Sequence, residues 1–184
     1  MTTQPNPEPP ITLTTLPAHR ALIYRSRVHS NDWRTPITLQ KRLLAEFLQT
    51  HSLNSQIPTI PYLSFIPRST PQYVETGYIL TPTTSDLIYS SLKSETGEEV
   101  KEVGWDEEVG EGWFVRVVEE GECLKLVHEG SYERYYEAWG RVWREVEERG
   151  LKMAGVPEQR VLMDYTEVEE RDLRSELIVP IVRK

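Results

Sequence analysis

Residues 174–184 read RSELIVPIVRK, and their alternation frames the rest of the chain. Leu177, Val179 and Ile181 fall on one face of a period-two strand, and Glu176, Ile178 and Pro180 fall on the other. A strand that is apolar on both faces belongs in a sheet covered on both sides. Glu176 is the exception within it. A carboxylate in such a place loses its hydration unless a partner compensates. Either it is a partly exposed strand start beside Arg174 and Ser175, or it stands at the floor of a pocket.

Upstream of this strand the chain repeats one order of elements. In residues 20–29, RALIYRSRVH, the Ile, Tyr and Val content predicts a strand. Thr35 is placed to cap a helix with Pro36 at its first position, and Ile37, Leu39 or Gln40, Leu43, Leu44, Phe47 and Leu48 form its apolar stripe. Strands at 62–66 and 72–80 follow, separated by Pro67 and a Ser-Thr-Pro turn. In the second half, residues 112–130 predict a strand pair turning at Glu120-Gly121. Ser131 is placed to cap a helix in which Tyr132, Tyr135, Tyr136, Trp139, Val142, Trp143 and Val146 recur at steps of three and four, ending at Gly150. Strands at 159–165 and 175–182 close the chain. His29 stands 46 residues before Glu75 and His128 stands 48 before Glu176, each glutamate opening the last strand of its half.

The fold expected is α+β: a duplicated βαββ unit giving one antiparallel sheet with two helices against it. Its half-repeats are 17–81 and 112–184, and residues 1–16, rich in Pro and Thr, read as a disordered leader. At roughly thirty residues, the crossover 82–111 is longer than compact domains usually carry without purpose. Part of it, with Trp105, is expected to fold back as a lid.

The net charge of −8 is concentrated in one place. Residues 95–111 contribute −7, leaving −1 for the rest, so no basic stripe for nucleic acid is available. No apolar run has the length of a membrane span, and the N-terminus lacks the pattern of a signal peptide. One cysteine, Cys123, fits a reducing compartment, and a cytoplasmic location is expected. Four histidines without metal-ligand spacing, no nucleophile elbow and no phosphate loop imply neither a metal nor a cofactor.

The run VHEGSYERYYEAWGRVWREVEERGL, followed by PEQRVLMDY and DLRSELIVPI, resembles the GyrI-like small-molecule-binding family. The residues that carry the resemblance are His128, Gly130, Tyr132, Glu176, Pro180 and Ile181. It covers 113–182 closely and 17–80 in outline. The resemblance implies a pocket at the pseudo-twofold junction of the two units, with Glu176 in it facing a cationic or polar cyclic ligand. The family's effector domains are fused to a helix-turn-helix, for which this sequence leaves no room, so a stand-alone domain is expected.

Around Glu176 the candidate ligand-binding residues are Glu75, its counterpart in the first half, with Tyr62, Tyr78, Trp105, Trp113, Tyr132 and Tyr136. Tyr and Trp combine an apolar body with a hydrogen-bond donor, which suits such a pocket. The other helix aromatics are expected in the core. An enzymatic alternative follows from hydrolases of the same family: Glu176 as general acid or base on a strained ring, with Tyr165 as second acid. A third class is protein binding, with the acidic run 95–111 presented to a basic partner.

Overall fold

The computed structural model describes residues 9–29, 34–53, 61–65, 72–96, 101–104, 107, 109–131, 134–162, 169 and 172–183. Ten strands and three helices follow in the order β1 (Thr12–Leu16), β2 (His19–Arg27), α1 (Arg34–Thr50), β3 (Pro61–Phe65), β4 (Tyr73–Leu80), α2 (Pro82–Thr96), β5 (Glu102–Val103), β6 (Gly112–Val118), β7 (Gly121–Glu129), α3 (Tyr135–Glu148), β8 (Lys152–Met153), β9 (Glu158–Val161) and β10 (Arg174–Val182). The architecture is α+β. The main sheet runs β1-β7-β10-β9-β3-β4-β2-β6-β5, and β8 pairs separately with β10. All its pairings are antiparallel except β5 on β6. From the central β3–β9 pair outward, the order is β3-β4-β2 on one side and β9-β10-β7 on the other.

Two sequence expectations change here. Residues 12–16, assigned to the leader, form β1 against β7, with Thr12 opposite Lys125 and Leu16 opposite Gly121. Their β-branched threonines satisfy the ladder groups of β7 that would otherwise form a bare edge. In addition, β6 and β7 are not a hairpin: β6 pairs β2 and β7 pairs β1. The β1–β7 register continues unbroken in number into β2–β6, from His19 opposite Val118 to Arg25 opposite Gly112. Two long bent strands therefore make a single ladder, interrupted at 17–18 and 119–120. The sheet curls between the ends of that ladder. His19 of β2 meets Glu158 of β9 at 3.1 Å, although β3 and β4 separate those strands in the sheet.

Alternation along the strands gives the sheet two faces, and the helices take one of them. Under α3, Leu124, Leu126, Leu177, Val179 and Ile181 pack with Tyr135, Ala138, Val142 and Val146. Under α1 and α2, Leu22, Leu80 and Val115 pack with Leu44, Phe47, Leu48, Ile88 and Leu92. Each such aliphatic side chain, fully buried, contributes about 1.5–3 kcal/mol. Gln40, not Leu39, is the buried member of the α1 stripe; its amide donates to the Val74 carbonyl at 2.9 Å and accepts from the Thr76 hydroxyl.

The helix ends follow local chemistry. Within the crossover, α2 starts after Thr81, whose N–H donates to the Thr84 hydroxyl at 2.9 Å while Pro82 takes the first helical position. Ser131 does not cap α3, which begins at Tyr135 with Arg134 before it. The helix stops as expected at Gly150, whose φ of +63° suits glycine, and the Leu151 N–H returns to the Val146 carbonyl at 2.9 Å. Among the described residues, no helix is long and apolar enough to cross a membrane.

Candidate functional site

The face away from the helices is built from a row of directly paired residues: Val127, Glu176, Arg160, Tyr62, Gly77, Ile23 and Phe114. Gly77 is required near its middle, because a Cβ there would stand 1.8 Å from the Leu22 carbonyl oxygen. Flanking residues on the same face complete three carboxylate centres.

The first centre is Glu75, fully buried on β4. Its Oε1 accepts from Arg25 Nε at 2.8 Å, from Arg25 Nη2, and from Arg116 Nη2 at 2.6 Å. Both guanidinium groups lie against the Phe114 ring, at 5.2 and 5.0 Å from its centroid, and Arg25 also lies 5.3 Å from that of Tyr73. One further donor of each reaches the crossover: Arg25 Nη1 to the Val109 carbonyl at 2.7 Å and Arg116 Nη1 to the Gly104 carbonyl at 2.6 Å. Val103 and Val109 pack on Ala21, Ile23 and Phe114. The crossover is thus strapped over this half of the face. Its far edge is held by Glu102, which accepts from the Tyr89 hydroxyl and from Arg20 Nε at 3.0 Å. Those two bonds, Tyr89 first, hold the Glu102 carboxyl below the usual range. Burial, with the bond to Glu102 second, pushes the Tyr89 phenol up to about 12.

The second centre is Glu158 on β9, also fully buried. Arg160 donates to its Oε2 through Nε at 3.0 Å and Nη2 at 2.8 Å, and His19 Nε2 lies 3.1 Å from Oε1. The third is Glu176. Lys125 Nζ donates to its Oε1 at 3.1 Å, and the side chains are 34% and 20% exposed respectively. Cys123, beneath these groups, has its thiol pushed up chiefly by burial; Lys125 and Arg160 oppose that, and Glu158 and Glu176 add to it.

The candidate residues separate into three sets. Glu176 and Glu75 lie on the helix-free face, and the Tyr62 backbone pairs between Arg160 and Gly77 in the row that holds Glu176. Tyr78, opposite Leu22, and Trp113, opposite Tyr24, project to the other face and pack into the core under α1. Trp113 sits 5.0 Å from Phe47 and 4.9 Å from Tyr24, ring centre to ring centre. Tyr136 is 82% exposed on the outside of α3, away from Glu176. Trp105, Tyr132 and Tyr165 lie outside the described residues. The histidine spacing is not a structural equivalence either. His128 faces Ser175, next to Glu176, whereas Val74, next to Glu75, faces Ser26 and not His29. Sequence reading passed over Arg25, Arg116, Lys125, Glu158 and Arg160. The i, i+2 spacing of Glu158 and Arg160 on one strand was a readable signal of a same-face pair.

Two surface hollows, of about 270 Å³ beside Arg141 and Glu145 and about 360 Å³ beside Thr38 and Arg42, flank α3 and α1 and include no residue of the helix-free face.

The model of the GyrI-like small molecule binding domain matches residues 9–182. The chain belongs to the GyrI-like family. No curated protein matches this GyrI-like chain in sequence. Solved structures share its fold at low identity. The EcmrR–DNA complex in an open-promoter assembly superposes with a TM-score of 0.66 at 14% identity, over 95% of this chain and 58% of the EcmrR chain. This chain therefore spans little more than half of that relative. The isolated EcmrR C-terminal domain gives 0.62 at 13% identity, over 96% of this chain and 99% of the other. SAV2435 bound to tetraphenylphosphonium gives 0.57 at 9% identity, over 94% of each chain.

Proposed function

We propose that this GyrI-like domain binds a delocalised, aromatic or cyclic organic cation on the helix-free face, with Glu176 as its anionic contact. One observation carries the reading. Of the carboxylates Glu75, Glu158 and Glu176, the first two are fully buried against arginine, while Glu176 is partly exposed and paired across the ladder with apolar Val127. A carboxylate in that setting favours a cation that sheds water cheaply and adds apolar contact. The shared fold with SAV2435 bound to tetraphenylphosphonium supports the ligand class.

Isothermal titration calorimetry with tetraphenylphosphonium tests it. The wild type is expected to bind, and Glu176→Gln to bind at least about tenfold more weakly, equivalent to about 1.4 kcal/mol. Equal binding by both would overturn the assignment of Glu176. Mass spectrometry of the recovered ligand is expected to find it unchanged. A product made by the wild type and absent with Glu176→Gln would replace binding by catalysis.

A further inference from the structure

We infer that Lys125 is a built-in competitor for the cation site and sets which cations Glu176 accepts; this rests on the assignment of Glu176 above. The ammonium of Lys125 reaches diagonally from β7 to Glu176 Oε1 at 3.1 Å, so it occupies the position that a ligand cation needs. At 34% side-chain exposure it is held loosely enough to be displaced into water. Among the described residues, another cation nearby, Arg160, lies directly opposite Glu176 but is engaged through two nitrogens by Glu158. It does not compete in the same way.

A tethered ammonium is present at an effective concentration on the order of millimolar or above. A small, strongly hydrated ammonium ion in solution makes the same contact as Lys125 and gains nothing over it. A large delocalised cation gains apolar contact with partly exposed Val127 as well, and displaces the lysine. Lys125 therefore acts as a threshold that excludes small alkylammonium ions.

The test is titration calorimetry with tetraphenylphosphonium and with methylammonium, on wild type, Lys125→Met, Lys125→Arg, Glu176→Gln and the Lys125→Met/Glu176→Gln double variant. Lys125→Met keeps the aliphatic stem, and Lys125→Arg guards against a folding defect by keeping the charge. Removing the competitor should tighten both ligands by about fivefold, the upper range for a partly exposed ion pair. Methylammonium should become measurable only then. Lys125→Arg should leave affinity low, and the double variant should show no gain over Glu176→Gln. If Glu176→Gln weakens binding while Lys125→Met leaves it unchanged or weaker, the competitor role fails and the Glu176 assignment stands. If Glu176→Gln binds as the wild type does, both fail.

Discussion

Glu75 and Glu176 each stand third in their strands, β4 and β10, yet the chain treats them in opposite ways. Glu75 is fully buried beside Gly104 and Val109 of the crossover, with two arginines on one oxygen. Glu176 is partly exposed and, among the described residues, is paired with Lys125. A carboxylate with multiple buried charge-assisted bonds is a structural element, because any cation entering must first break them. One with a partly exposed ammonium can exchange it for a ligand at little cost. The contrast comes from chain geometry. Among the described residues, Val109 and Gly104 of the crossover reach Arg25 and Arg116 beside Glu75, and Glu176 keeps partial exposure.

The largest expected effect is on stability. Glu75→Gln strands two buried guanidinium groups and should lower unfolding free energy by about 3–5 kcal/mol, read from urea denaturation. A loss under about 1 kcal/mol would mean that the strapped half is not sealed. Gly77→Ala forces β2 and β4 apart at the Leu22 carbonyl and should cost about 1–3 kcal/mol while leaving tetraphenylphosphonium affinity unchanged once folded. Glu176→Gln should change stability by less than about 1 kcal/mol, since its ion pair is partly exposed.

The smallest effect concerns the strap's outer anchor. Tyr89 should ionise near 12, measured as the phenolate absorbance lost in Tyr89→Phe. A phenol whose folded value is raised contributes stability in full below its unfolded value of about 10, and loses it as the pH rises toward the folded one. Glu102→Gln should lower that midpoint, because the bond to Glu102 is its second cause after burial. A midpoint that stays put would detach the anchor from the strap.

How far the sequence foretold this varies by element. The alternation of β10 and the three-and-four spacing of α3 are strong signals because each buries a defined face, and both elements lie where expected. Helix α2 was missed: its Ser- and Thr-rich run has only a narrow apolar stripe in Ile88 and Leu92, although Thr81-Pro82 repeats the start signal read at Thr35-Pro36. The partners of β1, β6 and β7 were illegible for another reason. A two-residue link suggests a hairpin, but long-range pairing across the bent ladder prevailed. Glu176 was visible as the odd residue in an apolar strand. The faces of Tyr78 and Trp113 were not, because both sides of their strands are covered and alternation alone does not say which side holds the site.

The most direct test of the central claim is a residue-resolved NMR titration of the backbone amides with tetraphenylphosphonium. Shifts are expected to centre on Val127, Arg160 and Glu176, with Gly104, Val109 and Arg25 unmoved. Shifts centred on the strap and the Glu75 centre instead would contradict it, and would place the ligand in the half described here as closed.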